Sequence, residues 1–206
     1  MHITSRRLIL SILFILCLSF QASAWCPTVT LSGSISAPAL CTSVQAPSET
    51  DVSTGDHNVG KYNDRTRVAS QFVYAGTTGK AICKVRLYVD FTGSSTHNYV
   101  VEIMSDNADT PNAVIGTSDA YDLKDLGTSE TTFDFEFSTP SSALTNSVKY
   151  WVVLKSVADA DDVSNFAEWH TETLGTTERI WDYDTTGAGW TEVSVDSTKK
   201  YILYSL

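Results

Sequence analysis

The chain has 206 residues, of which 42% are hydrophobic and 11% aromatic, and its 24 acidic and 14 basic side chains give a formal net charge of −10 at pH 7. This excess of carboxylates disfavours nucleic acid and anionic lipid surfaces as partners. The length is enough for one domain with its own hydrophobic core.

The first 24 residues have the order of a secretory signal peptide. Arg6 and Arg7 form a positive n-region, residues 8–20 an apolar h-region, and residues 22–24 (Ala-Ser-Ala) a cleavage motif. We predict cleavage after Ala24 and secretion, to the extracellular space or the periplasm. Cleavage would remove two of the 14 basic residues and none of the 24 acidic ones, leaving a net charge of −12.

The sequence disfavours two alternatives to cleavage after Ala24. A retained membrane anchor is disfavoured because the apolar run is shorter than the roughly 20 residues that cross a bilayer. A lipoprotein attached at Cys26 is disfavoured because Trp25 stands where lipidation requires a small residue. We therefore expect no membrane insertion after cleavage.

Three cysteines would remain in the mature chain, and an odd number leaves one without an intramolecular partner. Cys83 shares the alternation of the apolar residues of segment 83–91, which predicts a buried position. Cys26 and Cys41 bracket a stretch without strong periodicity, where a disulfide closing a loop of about 15 residues would contribute about 3 kcal/mol. The sequence therefore predicts a Cys26–Cys41 disulfide.

Residues 25–63 form a polar N-terminal arm rich in Ser, Thr and Pro, with one candidate strand at residues 29–31. From residue 64 to residue 206 the texture changes to short β-type runs separated by Gly, Pro, Asn and Asp. Nine strands are predicted, at residues 67–74, 81–91, 98–104, 132–137, 148–155, 165–170, 179–183, 190–195 and 200–204.

Strict alternation within these runs indicates half-buried strands. Phe133, Phe135 and Phe137 are expected to face the core, with the polar residues between them facing outward. The loops between many runs are longer than tight hairpins, and no long segment has helical periodicity. The domain is therefore predicted to be all-β, an antiparallel sandwich of two sheets.

Several of these segments together resemble the choice-of-anchor R type domain of bacterial surface and secreted proteins: residues 70–72, 82–88, 100–106, 110–111, 137–140 and 149–154. The Thr-Gly-Ala-Gly-Trp run at residues 186–190 is similar to that family's glycine turn before a tryptophan. The resemblance covers about residues 64–206. It implies a jelly-roll-like β-sandwich with no established chemistry of its own.

The mature chain shows no catalytic or zinc signature. Its histidines are His57, His97 and His170, each expected at the surface, and it has no G-x-S-x-G, C-x-x-C or H-x-x-x-H pattern. We expect no enzyme activity and no required cofactor.

Paired carboxylates keep one enzymatic alternative open, a secreted glycoside hydrolase. Glu168 with Glu172 and Asp182 with Asp184 are the pairs that such a mechanism could use if they faced each other across a cleft. Asp182 and Asp184 alternate with aromatic residues along one strand, which is the pattern of a solvated face.

Two acidic loops offer oxygen ligands of the kind that calcium prefers. Residues 106–109 are interpreted as an Asx-type turn ended by Pro111. Asp159, Asp161 and Asp162 are the candidate site for a structural calcium ion.

Aromatic residues are concentrated in the last third of the chain, at Trp169, Trp181, Tyr183 and Trp190. An exposed indole can stack on the apolar face of a sugar ring, whereas the alternative is ordinary core filling. The sequence thus favours a secreted non-catalytic binding or adhesion module, with a glycan or cell-surface polymer as partner. The alternative function is a structural component of an extracellular matrix or appendage, and no oligomeric state is indicated.

Overall fold

A computed structural model describes residues 40–45, 57–60, 65–94, 96–157, 164–172, 179–184, 189–195 and 198–206. The predicted signal peptide, the candidate strand at residues 29–31 and Cys26 lie outside these residues. The described residues contain no helix, and so none that could span a membrane.

The described residues form fifteen strands, all paired in antiparallel fashion. Their bounds are β1 Thr42–Gln45, β2 His57–Val59, β3 Arg65–Val73, β4 Ile82–Thr92, β5 Asn98–Asn107, β6 Thr110–Thr117, β7 Tyr121–Asp122, β8 Thr131–Glu136, β9 Lys149–Ser156, β10 Phe166–Trp169, β11 Thr171–Glu172, β12 Arg179–Asp184, β13 Gly189–Val195, β14 Thr198–Lys199 and β15 Tyr201–Ser205.

Two large sheets carry most of these strands. The six-stranded sheet has the order β1-β15-β4-β10-β2, and β8 also pairs with β4. The seven-stranded sheet has the order β13-β12-β3-β9-β5-β6, and β7 also pairs with β5. Strands β11 and β14 form a separate two-stranded sheet.

The main core lies between the two large sheets and takes alternate residues from each. From the six-stranded sheet it includes Val85, Leu87 and Val89 of β4, and from the seven-stranded sheet Val68 and Phe72 of β3, all of them fully buried. Alternation follows from strand geometry, in which successive side chains point to opposite faces. The predicted all-β antiparallel two-sheet architecture is therefore confirmed.

The predicted inward face of β8 follows this rule. Phe135 and Phe137 are buried in the core, and Phe133 is half-buried and packs against it. The ring of Phe135 meets that of Tyr121 edge-on, with centroids 5.5 Å apart.

The sequence does not predict strand β6, because residues 106–111 have the composition of a turn ended by Pro111. Ala108 and Asp109 both have positive φ, at 51° and 62°, and close a two-residue hairpin between β5 and β6. The Asp109 amide donates to Asp106 Oδ2 at 3.3 Å, so the side chain of Asp106 bonds to the backbone three residues further on. Pro111 then lies within β6, which it can do because β6 is an edge strand.

Two strands come from the segment interpreted as a polar arm. Strand β1 pairs with β15, and β2 pairs with β10 through Asn58 and its two neighbours. Residues Pro38–Leu206 form one compact unit. The sheets thus begin before residue 64, in strands too short to give a periodic signal.

The predicted Cys26–Cys41 disulfide is wrong, because Cys41 is bonded to Cys83, with a Cα–Cα distance of 6.2 Å. The cause is a β-bulge that interrupts the alternation of β4. Lys84 pairs with Tyr204, but Ile82 pairs with the next residue of β15, so Cys83 is one extra residue on β4. Ile82 therefore takes the core position, and Cys83, which is buried as predicted, meets Cys41 beside the end of β15.

Candidate functional site

The hairpin of β12 and β13 places aromatic side chains on the outer face of the seven-stranded sheet. Ile180 is fully buried in the main core. Trp181, one residue later, packs on the opposite face, and Tyr183 follows it there because side chains alternate along a strand. Trp190 of β13 lies directly opposite Tyr183 in the antiparallel register.

These aromatics border a second, smaller hydrophobic cluster on the same outer face. We call it the outer cluster, and its members are Ala69, Met104, Trp151 and Val153. Trp151, Ala69 and Val153 are fully buried although they lie outside the main core. The Trp151 and Trp181 rings meet edge-on, with centroids 6.4 Å apart and an interplanar angle of 84°.

Trp181, Tyr183 and Trp190 together form a surface that we call the aromatic face. All three are half-buried, so part of each ring remains open to solvent. Tyr183 and Trp190 meet edge-on at 5.1 Å between centroids. The Arg67 guanidinium lies 4.7 Å from the centroid of the Tyr183 ring, a cation–π distance that holds this ring from the neighbouring strand.

A polar rim adjoins the aromatic face at Arg179 and Glu192. Arg179 Nη1 donates to both carboxylate oxygens of Glu192, at 2.8 and 2.9 Å. Glu192 is the direct cross-strand neighbour of Trp181. The pair therefore places a charged donor and a charged acceptor beside an open indole ring, at the strand edge.

A second polar group ties the β5–β6 turn to the sheet. Lys149 donates to Asp109, and this bond is the main reason that the pKa of Asp109 lies below its usual value, with a further hydrogen bond from Gln71 adding to it. Asp106 Oδ1 accepts from Trp151 Nε1 at 2.8 Å. Both carboxylates accept hydrogen bonds from side chains of the sheet, so these bonds fix the turn to the sheet.

The structure removes Trp169 from the predicted ligand-binding set. Its side chain is fully buried in the main core between the sheets, and its Nε1 donates to the Lys200 carbonyl at 3.0 Å. Of the four aromatics predicted as a group, the fold brings three together and places the fourth on the other sheet, facing inward.

The predicted calcium ligands Asp159, Asp161 and Asp162 lie outside the described residues. Within the part of the chain that the structure describes, no group of three or more His, Cys, Asp or Glu side chains could hold a metal ion.

The sequence predicts a solvated face for Asp182 and Asp184, and for Asp182 this prediction is wrong. Asp182 is 4% exposed and faces inward, with Oδ1 3.6 Å from His57 Nδ1. The side chains of Glu172 and Asp184 lie outside the described residues. Asp182 is therefore on the opposite side of β12 from Trp181, away from the aromatic face.

His170 is buried, contrary to the prediction of a surface position. Its Nε2 lies 3.2 Å from Asp90 Oδ2, and its Nδ1 lies 3.4 Å from Glu130 Oε2. Lys200 Nζ lies 3.0 Å from Glu130 Oε1. This cluster joins β4 to the residues that follow β10 and precede β8 and β15, whereas β12 and β13 belong to the other large sheet.

Sequence reasoning missed Trp151 and the cations around the aromatic face. Trp151 lies in a run of five buried residues, 150–154, where both sides of the strand are apolar and alternation cannot separate them. Arg67 and Arg179 come from strands whose pairing partners only the fold supplies. The sequence signal that indicates the aromatic face is the spacing of Trp181 and Tyr183, two residues apart on one strand.

No protein-family model matches the chain. No curated protein matches it either.

Two solved structures are similar to the chain in fold. One is the crystal structure of the cysteine protease and lectin-like domains of Cwp84, a surface layer associated protein of Clostridium difficile, with a TM-score of 0.48 and 11% identity over 68% of this chain and 31% of that chain. The other is the clostridial cysteine protease Cwp84 after propeptide cleavage, with a TM-score of 0.53 and 11% identity over 78% of this chain and 39% of that chain. The second likeness supports the all-β fold, and this chain spans less than half the length of either protein.

Proposed function

We propose that this protein is a secreted, non-catalytic binding module that holds carbohydrate on its aromatic face. The observation that carries the proposal is the position of Trp181, Tyr183 and Trp190, which lie half-buried together outside the main core. Aromatic rings fixed in this way offer flat apolar surfaces for the C–H face of a sugar. Bound sugars also need hydrogen-bonding groups at the edge of the stacking surface.

The polar rim supplies such groups. Arg179 donates and Glu192 accepts, and each holds the other in place, so little side-chain freedom remains to be lost on binding. Arg67 restrains Tyr183 from the opposite side. A surface of restrained aromatic rings beside the Arg179–Glu192 ion pair is suited to binding a ligand without catalysis.

The signal-peptide pattern and the acidic composition support an extracellular or periplasmic setting for this activity. The resemblance to the choice-of-anchor R type domain agrees with a module of bacterial secreted or surface proteins. We propose no catalytic residue, because Asp182 faces His57 on the inner side of β12.

The test is binding of the purified protein to an array of defined oligosaccharides, including cello-, xylo-, manno- and chito-oligosaccharides, followed by calorimetry on the strongest. Tyr183→Ala is expected to lower affinity about tenfold, equivalent to about 1.4 kcal/mol. Tyr204→Ala is the matched control, because Tyr204 is also half-buried beside a cation, with Lys84 Nζ 4.2 Å from its ring centroid, but on the six-stranded sheet.

Loss of binding in the Tyr183 variant with retention in the Tyr204 variant supports the proposal. A wild-type protein that binds none of the oligosaccharides would contradict it. Equal affinity of the Tyr183 variant and the wild type would show that the oligosaccharide binds elsewhere on the molecule.

A further inference from the structure

The indole nitrogen of Trp181 stands out within the aromatic face. Its Nε1 is shielded from solvent and has no hydrogen-bond partner among the residues that the structure describes. A buried donor without an acceptor is costly, and native proteins contain few of them. Such a group calls for an explanation, and a ligand is one of the few available.

The other indoles with assigned bonds show the contrast. Trp151 donates to Asp106 Oδ1 at 2.8 Å, and Trp169 donates to the Lys200 carbonyl at 3.0 Å. Both of these rings are fully buried, whereas the ring of Trp181 is only half-buried. Of these three indoles, the half-buried one is therefore the one whose N–H has no partner among the described residues.

Two carboxylates around the aromatic face and the outer cluster, those of Glu192 and Asp106, bond to other donors. Glu192, the cross-strand neighbour of Trp181, accepts from Arg179 through both oxygens. Asp106 Oδ1 accepts from Trp151 and also from Gln71 Nε2 at 3.3 Å. Neither of these two carboxylates accepts a hydrogen bond from the Trp181 N–H, which has no partner among the residues that the structure describes.

We propose that the Trp181 N–H is the hydrogen-bond donor through which the aromatic face selects its ligand. The bond between Cβ and the indole ring is a broad, roughly two-fold torsion, so the ring can turn and bring Nε1 to the solvent side. There a hydroxyl or ring oxygen of a bound sugar accepts the hydrogen bond that the free protein lacks. The inference rests on the proposed carbohydrate function and adds the group that discriminates between sugars.

A substitution that removes the donor but keeps an aromatic ring tests this directly. Trp181→Phe is expected to lower the affinity for the strongest-binding oligosaccharide about tenfold, the loss of one neutral hydrogen bond. Trp190→Phe is the matched binding control, and its smaller loss of about threefold reflects reduced stacking area alone.

The melting temperature is a second readout. If the Trp181 indole only stabilised the fold, its replacement would lower the melting temperature. Trp181→Phe removes an unsatisfied donor, so its melting temperature is expected to stay within about 2 °C of the wild type. Trp151→Phe removes a satisfied donor and deprives Asp106 of its partner, so its melting temperature is expected to fall by several degrees.

The outcomes are distinguishable. A wild type that binds no oligosaccharide overturns the carbohydrate function and this inference with it. Oligosaccharide binding that is equal in the wild type and in Trp181→Phe overturns only the inference. A Trp181 variant that melts well below the wild type with unchanged affinity indicates instead an internal water held by Nε1.

Discussion

The Cys41–Cys83 disulfide has a measurable consequence for stability. It joins the residue before edge strand β1 to the second residue of β4, across a sequence separation of 42 residues. Closing a loop of that length restricts the unfolded chain by about 4 kcal/mol at 25 °C in the chain-entropy account. For a chain of this size that corresponds to a fall in melting temperature of roughly 8–16 °C when both cysteines are replaced by serine.

Urea denaturation at pH 7 of the wild type and the Cys41→Ser/Cys83→Ser double variant measures the expected loss of about 4 kcal/mol in the free energy of unfolding. Cys26→Ser is the control, because the structure assigns the bond of Cys41 to Cys83 and so predicts stability equal to the wild type. Mass spectrometry of non-reduced peptides should recover Cys41 linked to Cys83. A Cys26–Cys41 peptide, or a Cys26→Ser variant as unstable as the double variant, would refute the reasoning.

Three further predictions concern pH, packing and export. The pKa of Asp134 is lowered, chiefly by its hydrogen bond from Arg86, so its stabilising effect is present above the ordinary carboxyl range and is lost as pH falls through the folded value. Asp134→Asn should therefore cost about 0.5–1 kcal/mol in urea denaturation at pH 7 and progressively less towards pH 2, and an unchanging deficit would contradict this. Gly116→Ala should cost about 1–3 kcal/mol in the same assay, because the added Cβ would lie 2.5 Å from Ser141 Cβ, and wild-type stability would show that the hairpin shifts freely. Amino-terminal sequencing of the exported protein should begin at Trp25, and an intact first residue would exclude cleavage.

The alternation of apolar residues was enough to predict most of the sheet-forming segments. It placed Phe135 in the core and gave the strand that became β4. Alternation fails where the pairing shifts by one residue, since a bulge moves every later side chain to the other face. Cys83 lies at such a bulge, so its partner could not be predicted from its own strand.

Strand β6 could not be predicted because the residues before it have the composition of a turn. Residues 106–111 contain Asp, Asn and Pro, which are typical of a chain reversal, and the reversal is present at Ala108 and Asp109. The sequence does not show that the chain then returns as an edge strand, because an edge strand tolerates Pro111 and most of β6 is too exposed to alternate.

The aromatic face could be predicted in part. Trp181 and Tyr183 share a face because they are two residues apart on one strand, and this follows from the sequence alone. Trp190 opposite Tyr183, and Trp169 in the core, depend on pairings between strands. Trp151 joins the outer cluster only because β9 is central in its sheet and buried on both sides.

The most direct test of carbohydrate binding by the aromatic face is the nuclear magnetic resonance spectrum of the indole N–H groups in protein labelled at tryptophan. Each signal can be assigned by its loss in a Trp→Phe variant. Addition of the strongest-binding oligosaccharide is expected to shift the signals of Trp181 and Trp190 and to leave that of the core residue Trp169 in place. Binding that leaves the Trp181 and Trp190 signals unmoved would contradict a site on this face.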